Sequence, residues 1–212
     1  MNIHTVYNIF FGYFRTRRIK KLYDIFNITA DTSVVDVGGS LYWWELATKL
    51  GLDVPHVTIV NLYKGPDILP ANIKWIVGDG TALPFNDNSF DLVFCNSVIE
   101  HLGTWEGQKH FADEIMRVSK KYYVQTPNKF FFVEPHLITP FVHWMPTNIQ
   151  LILLRYFTIW GLMTKPSVEK CQEFIDEIRL LSRREMSLLF PNADIASEYF
   201  LGFCKSVIAI NK

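Results

Sequence analysis

The spacing of apolar and polar positions changes several times along this chain, and each change marks an element. Residues 1–30 read as helical and end in the turn Thr29-Ala30-Asp31. Five short runs rich in β-branched and aromatic residues follow: SVVDV (33–37), HVTIVNL (56–62), NIKWIVGDG (72–80), SFDLVFCNS (89–97) and KKYYVQTP (120–127). Each is closed by Gly, Asn, Asp, Ser or Pro, the punctuation of buried strands. LYWWELATKLG (41–51) places Leu41, Trp44 and Leu46 among helix formers, with Gly51 as a stop, and residues 106–118 place Phe111, Ile115 and Val118 at helical spacing. Strand and helix patterns therefore alternate over 33–127. That order predicts βαβ units, a parallel sheet and helices on both of its faces.

The two ends of the remaining chain differ. From 194 to 210, ADIASEYFLG and KSVIAIN are separated by Phe203-Cys204 with no helix between, which predicts an antiparallel pair. Residues 128–190 break the alternation. NKFFFVEPHLITPFVHWMP is aromatic and interrupted by Pro135, Pro140 and Pro146, and NIQLILLRYFTIWGLM is an apolar helical stretch. The expectation is a single α/β domain over 1–212, with N-terminal helices over 1–30 and a helical, aromatic cap inserted at 128–190 over one end of the sheet.

Composition narrows the function classes. The 212 residues carry 21 Lys and Arg against 21 Asp and Glu, so there is no basic excess to meet a nucleic acid. The one basic cluster, RTRRIKK (15–21), reads as a solvated helix face. Cys95, Cys171 and Cys204 lie far apart and form no metal or disulfide pattern, which suits a reducing compartment and core thiols. The basic cluster at the N-terminus follows the apolar part instead of preceding it, unlike a signal peptide. The apolar stretch 149–163 contains Arg155 and is too short to span a bilayer. These features point to a soluble, cytoplasmic protein. A buried cap helix is the simpler reading of 149–163; peripheral contact with a membrane surface is the alternative.

Ligands of open α/β sheets sit at the carboxyl ends of the strands. There the chain places Asp36, Gly38, Gly39 and Ser40, then Asn61, then Asp79 and Gly80, then Asn96, Ser97 and Glu100-His101. Any one of these is an ordinary turn residue; polar or small residues at four strand ends in succession are a candidate site. The dinucleotide pattern G-x-G-x-x-G is absent.

VVDVGGS, GDGTALPFNDNSFDLVFCNSVIEHL and the order of elements around them resemble the class I S-adenosylmethionine-dependent methyltransferases over residues 30–127 and, in outline, the terminal hairpin. GDGTALPFNDNSFDLV is similar to the quinone-type and small-molecule branch. The resemblance implies a doubly wound, mostly parallel seven-stranded sheet ending in an antiparallel hairpin. It implies S-adenosylmethionine as cofactor and a small or lipid-like methyl acceptor, with no nucleic-acid partner. It places Asp36 near the amino-acid end of the cofactor, where a carboxylate suits a cation, and lets the turn Gly38-Gly39-Ser40 approach closely. Asn61 falls where the family has an acid that grips the ribose. Asp79, Gly80, Thr81 and Leu83 surround the adenine, and Asn96 and Ser97 lie beneath the sulfonium. Three residues depart from the pattern: Ser40 and Tyr42 replace glycines, and Asn61 replaces the acid. They keep open the alternative of a non-catalytic, methyltransferase-like binding module or partner subunit.

His101, one helical turn beyond the fourth strand, is the candidate general base; the competing reading is a histidine bonded to backbone. In the cap, His136, His143 and Trp144 are candidate substrate contacts. Pro135 separates Glu134 from His136 and no ligand spacing is present, so no metal site is expected.

Overall fold

The structure is a computed structural model that describes residues 3–134, 137 and 139–212, with side chains from Gly12 onward. His136 lies outside the described residues. The chain runs α1 (Ile3–Phe26), β1 (Ser33–Val37), α2 (Leu41–Lys49), β2 (His56–Asn61), β3 (Ile73–Val77), β4 (Leu92–Asn96), a 3-10 turn (Ile99–Leu102), α3 (Trp105–Val118) and β5 (Tyr122–Pro127). The small strands β6 (Val133–Glu134) and β7 (Thr139–Pro140), helices α4 (Thr147–Phe157), α5 (Ile159–Thr164), α6 (Val168–Glu177) and α7 (Arg183–Leu189), and strands β8 (Asp194–Phe200) and β9 (Phe203–Asn211) complete it.

Seven strands form one sheet in the order β3-β2-β1-β4-β5-β9-β8. The first five are parallel; β9 pairs antiparallel with β5, and β8 with β9. Strand order reverses between β1 and β4, so a crevice opens at their carboxyl ends. Side chains alternate across the sheet. Val34, Phe94, Tyr123 and Ile208 face α1 and α2, packing with Ile19, Leu22, Trp43 and Trp44. Val35, Val93, Cys95 and Val124 face α3 and α7, packing with Phe111, Ile115, Met186 and Leu189. Trp44 is fully buried, a burial worth about 2–3 kcal/mol. Thr104 caps α3 by accepting from the Gly107 N–H, and Ser182 with Glu185 forms a capping box on α7.

Three expectations change in detail. No helix follows β2 or β3. Gly65, Pro66 and Pro70 interrupt the first connection, and Gly78, Gly80 and Pro84 the second, so neither can sustain a helix. The hairpin turns at Leu201-Gly202, both at positive φ, and Phe203-Cys204 already belong to β9; two such residues match the twist of paired strands. The third is the apolar stretch after β7. Leu154 joins Leu137, Val142 and Cys171 in a small core of its own, but Ile152, Tyr156, Phe157, Leu162 and Met163 are exposed along α4 and α5. The helix pair is buried on one side only. Among the described residues no helix is long and apolar enough to cross a membrane.

Candidate functional site

A cavity of about 410 Å³ opens at the carboxyl ends of β1, β4 and β5. One wall is the turn after β1, with Asp36, Gly38, Gly39 and Ser40; the floor is Asn96, Ser97, Gln125 and Pro127; the far wall is Lys205 and Ser206 at the start of β9. Helix α1 roofs it with Phe14, Arg15 and Arg18.

The acid and the glycines of VVDVGGS explain one another. Asp36 is 1% exposed and folds its carboxyl beneath Gly39, where an added Cβ would stand 2.1 Å from the carboxyl carbon. Gly38 has φ +71°, a conformation that side chains resist, and a Cβ there would strike Val98 at 2.5 Å. The Trp44 indole N–H donates to Asp36 Oδ2 at 2.9 Å, while Oδ1 has no hydrogen-bond partner among the described residues. Burial pushes this carboxyl up to about 7, against the smaller opposing pull of the Trp44 bond. Ser40 is the N-cap residue of α2, yet its side chain makes no capping bond and borders the cavity. Tyr42 lies beside it, and the Arg15 guanidinium stacks 4.8 Å from the Tyr42 ring centroid.

At the tip of β4, Ser97 holds a left-handed backbone, φ +56°, uncommon for a residue with a side chain and typical of positions held by their surroundings. Its N–H donates to the Gln125 carbonyl at 2.9 Å and its hydroxyl to Gln125 Oε1 at 3.0 Å.

The second and third strand ends stand outside the cavity walls. Asn61 donates from Nδ2 to the Gly39 carbonyl at 2.9 Å and accepts the Tyr63 N–H at 3.1 Å. Both ends of the amide are engaged in pinning one strand-end turn to the next. Asp79 accepts the Thr81 N–H at 2.8 Å and so shapes the turn that holds Gly80 and Thr81. Leu83 is buried in the core on the α3 side. Its N–H donates to Glu114 at 2.6 Å, and Arg117 binds the Leu83 and Phe85 carbonyls, so α3 fixes this loop. Arg117, through its hydrogen bonds, holds the Glu114 carboxyl below its usual range.

His101 does not border the cavity. It sits on the 3-10 turn with Nδ1 3.3 Å from Glu177 Oε1 of α6. Neighbouring Glu100 is buried and accepts from the Thr126 hydroxyl at 2.9 Å. His143 lines a separate cavity of about 210 Å³ with Glu134, and burial lowers its pKa. Trp144 donates to the Lys129 carbonyl at 3.0 Å and is half exposed. Neither cap residue reaches the walls of the larger cavity.

Sequence reasoning missed the residues that close the far end. Arg18, read as part of a solvated basic face, is 5% exposed. It donates to Asn96 Oδ1 at 2.6 Å, to Gln125 Oε1 at 3.0 Å and to Glu198 Oε2 at 2.5 Å. Lys205 lies 3.3 Å from the same Glu198 oxygen and 4.4 Å from the Phe14 ring centroid. Burial, and then the charge of Arg18, push its ammonium down to about 8. One signal was available: Phe14, Arg18 and Leu22 recur at i, i+4 and i+8, which puts Arg18 on the apolar face of α1.

Comparison with known proteins agrees with this geometry. A family model described as "Methyltransferase domain" matches residues 38–122, from the glycine turn to the first residue of β5. No curated protein matches the sequence. Among solved structures, a SAM-dependent methyltransferase from Aquifex aeolicus is 15% identical with a TM-score of 0.50, covering 92% of this chain and 89% of its own. A chain in the complex of the Haloferax volcanii Trm112 methyltransferase activator with a methyltransferase is 14% identical at TM-score 0.52, covering 92% of each. Phosphoethanolamine N-methyltransferase 2 of Haemonchus contortus, solved with S-adenosyl-L-methionine, is 14% identical at TM-score 0.55, covering 86% of this chain and 38% of its own. The chain spans 46% of the length of another match, the [4+2]-cyclase SpnF. At such identities the likeness is one of fold. Residues 38–122 thus match the methyltransferase domain model, and the chain carries the Rossmann-like fold of the solved methyltransferases.

Proposed function

We propose that this protein transfers a methyl group from S-adenosylmethionine to a small or lipid-like acceptor in the cavity between β1 and β9. The observation that carries the reading is the orphaned carboxylate oxygen of Asp36 beneath a glycine turn, at the point where strand order reverses. A buried carboxyl with one oxygen unpaired fits a cation, and the cofactor offers an ammonium and a sulfonium; it does not fit a phosphate. Bound there, the cofactor supplies an electrophilic methyl group for in-line displacement.

The chain's own residues hold and orient. Asp36 gains a counter-charge on ionising, which offsets its burial. Gly38, Gly39 and Ser40 admit the ligand against the backbone, and Asn61 stiffens that turn from below. Asn96 and Ser97, locked through Gln125, hold polar atoms at the middle of the cavity. Asp79, Gly80, Thr81 and Leu83, on the firm edge beyond, would hold the nucleoside part of the cofactor. Phe14 and Arg15 on the α1 roof exclude water, and methyl transfer from a sulfonium draws its rate chiefly from alignment and desolvation. No histidine borders the cavity among the described residues, so this account assigns no histidine base.

The test is a product assay. The protein is incubated with methyl-labelled S-adenosylmethionine and a panel of phenols, quinols, sugars, amines and lipids, with products read by mass spectrometry. Label transferred to an acceptor supports the reading. Cofactor binding with no transfer across the panel would instead favour a binding module.

A further inference from the structure

The two ends of the cavity differ in charge. At the β1 end stands Asp36, with the Arg15–Tyr42 stack at the rim. At the β9 end stand Arg18 and Lys205, both more than nine-tenths buried, and they share one carboxylate, that of Glu198. The segments framing this end, residues 12–18, 126–133 and 199–212, contain no Asp or Glu. Two buried cations against one buried anion leave a net positive charge at this end. Uncompensated buried charge is costly, and an incoming anion offsets it. β1 and β9 are three strand spacings apart, roughly 14 Å at ~4.8 Å each. The charged end is therefore set off from the glycine turn, on the side where an acceptor has room.

We propose that Lys205 and Arg18 bind an acidic group of the methyl acceptor, a carboxylate or a phosphate, and so select anionic acceptors. This rests on the methyltransferase reading above. Lys205 is the contacting residue: it borders the cavity. Arg18, spread over Asn96, Gln125 and Glu198, positions the floor and adds charge. The competing source of an anion is the carboxylate of the cofactor itself, and the test separates the two.

Inorganic phosphate and, separately, acetate are titrated by calorimetry into the full-length protein saturated with S-adenosylhomocysteine, whose own carboxylate is then already in place. The expected result is that at least one anion binds, that Lys205→Met weakens it about tenfold or more, the size of a charge-assisted contact, and that Lys205→Arg retains it. Affinity for S-adenosylhomocysteine should change less than about threefold in both variants, which also verifies folding. The proposal is overturned if neither anion binds the saturated wild type, or if Lys205→Met binds as well as wild type. Should S-adenosylhomocysteine itself not bind, the cofactor reading fails, and the same titrations without it still decide the anion site.

Discussion

Asp36 makes the stability of this fold depend on pH in an unusual direction. Its carboxyl sits at about 7 in the folded protein against an ordinary 3.8, mainly because burial disfavours the charged form. Between these values the unfolded chain has released the proton and the folded chain has kept it. Stability then falls as pH rises, by about 1.4 kcal/mol per unit, and levels off above pH 7. The difference of about 3 units corresponds to about 4 kcal/mol. Most buried carboxylates that are paired do the reverse. Asp36→Asn is neutral at every pH and keeps an acceptor for the Trp44 indole. The assay is urea unfolding of both proteins at half-unit steps from pH 4 to 8. Shared contributions from other groups cancel in the difference, leaving the Asp36 term. The variant should gain on the wild type steadily with pH, by about 4 kcal/mol in all. A difference that stays flat across this range would refute the argument, because it would mean that the carboxyl ionises in the folded state as easily as in the unfolded one.

Three further outcomes follow from the same geometry. Gly39→Ala puts a methyl group on the Asp36 carboxyl and should cost about 1–3 kcal/mol by thermal or urea unfolding, with loss of the Trp44 bond visible as a change in tryptophan fluorescence. Glu198→Gln removes the counter-charge of Arg18 and Lys205, so a drop of about 3 kcal/mol is expected in urea titration at pH 7. His101→Gln should leave kcat within about threefold of wild type in steady-state assays, since the imidazole faces Glu177 outside the cavity; a loss of a hundredfold, the scale of a missing general base, would restore His101 to the reaction.

Local signals carried the sheet. Each strand was legible because a β-branched run ends at a turn residue, and the antiparallel end because two such runs lack a helix between them. The glycine turn was legible for the same reason: conformational demand at Gly38 and close approach at Gly39 leave a mark in sequence. What stayed hidden depends on partners distant in the chain. Arg18 meets residues 78, 107 and 180 positions away, and its spacing with Phe14 and Leu22 is the one local sign that it turns inward. The bonds of the Asn61 amide to Gly39 and Tyr63 were equally hidden, because they depend on how β1 and β2 pair. His101 differed for a subtler reason: a 3-10 turn has three residues per turn, so the face it presents departs from that of an α-helix. The exposed apolar side of α4 and α5 was likewise unreadable, because hydrophobicity does not say which partner is present.

The decisive experiment is a crystal structure of the protein soaked with S-adenosylhomocysteine. The expected density puts the ligand's ammonium beside Asp36, its sulfur over Asn96 and Ser97, and leaves the space next to Lys205 open for an acceptor. A ligand seated elsewhere, or a cavity that stays empty at saturating ligand, would contradict it.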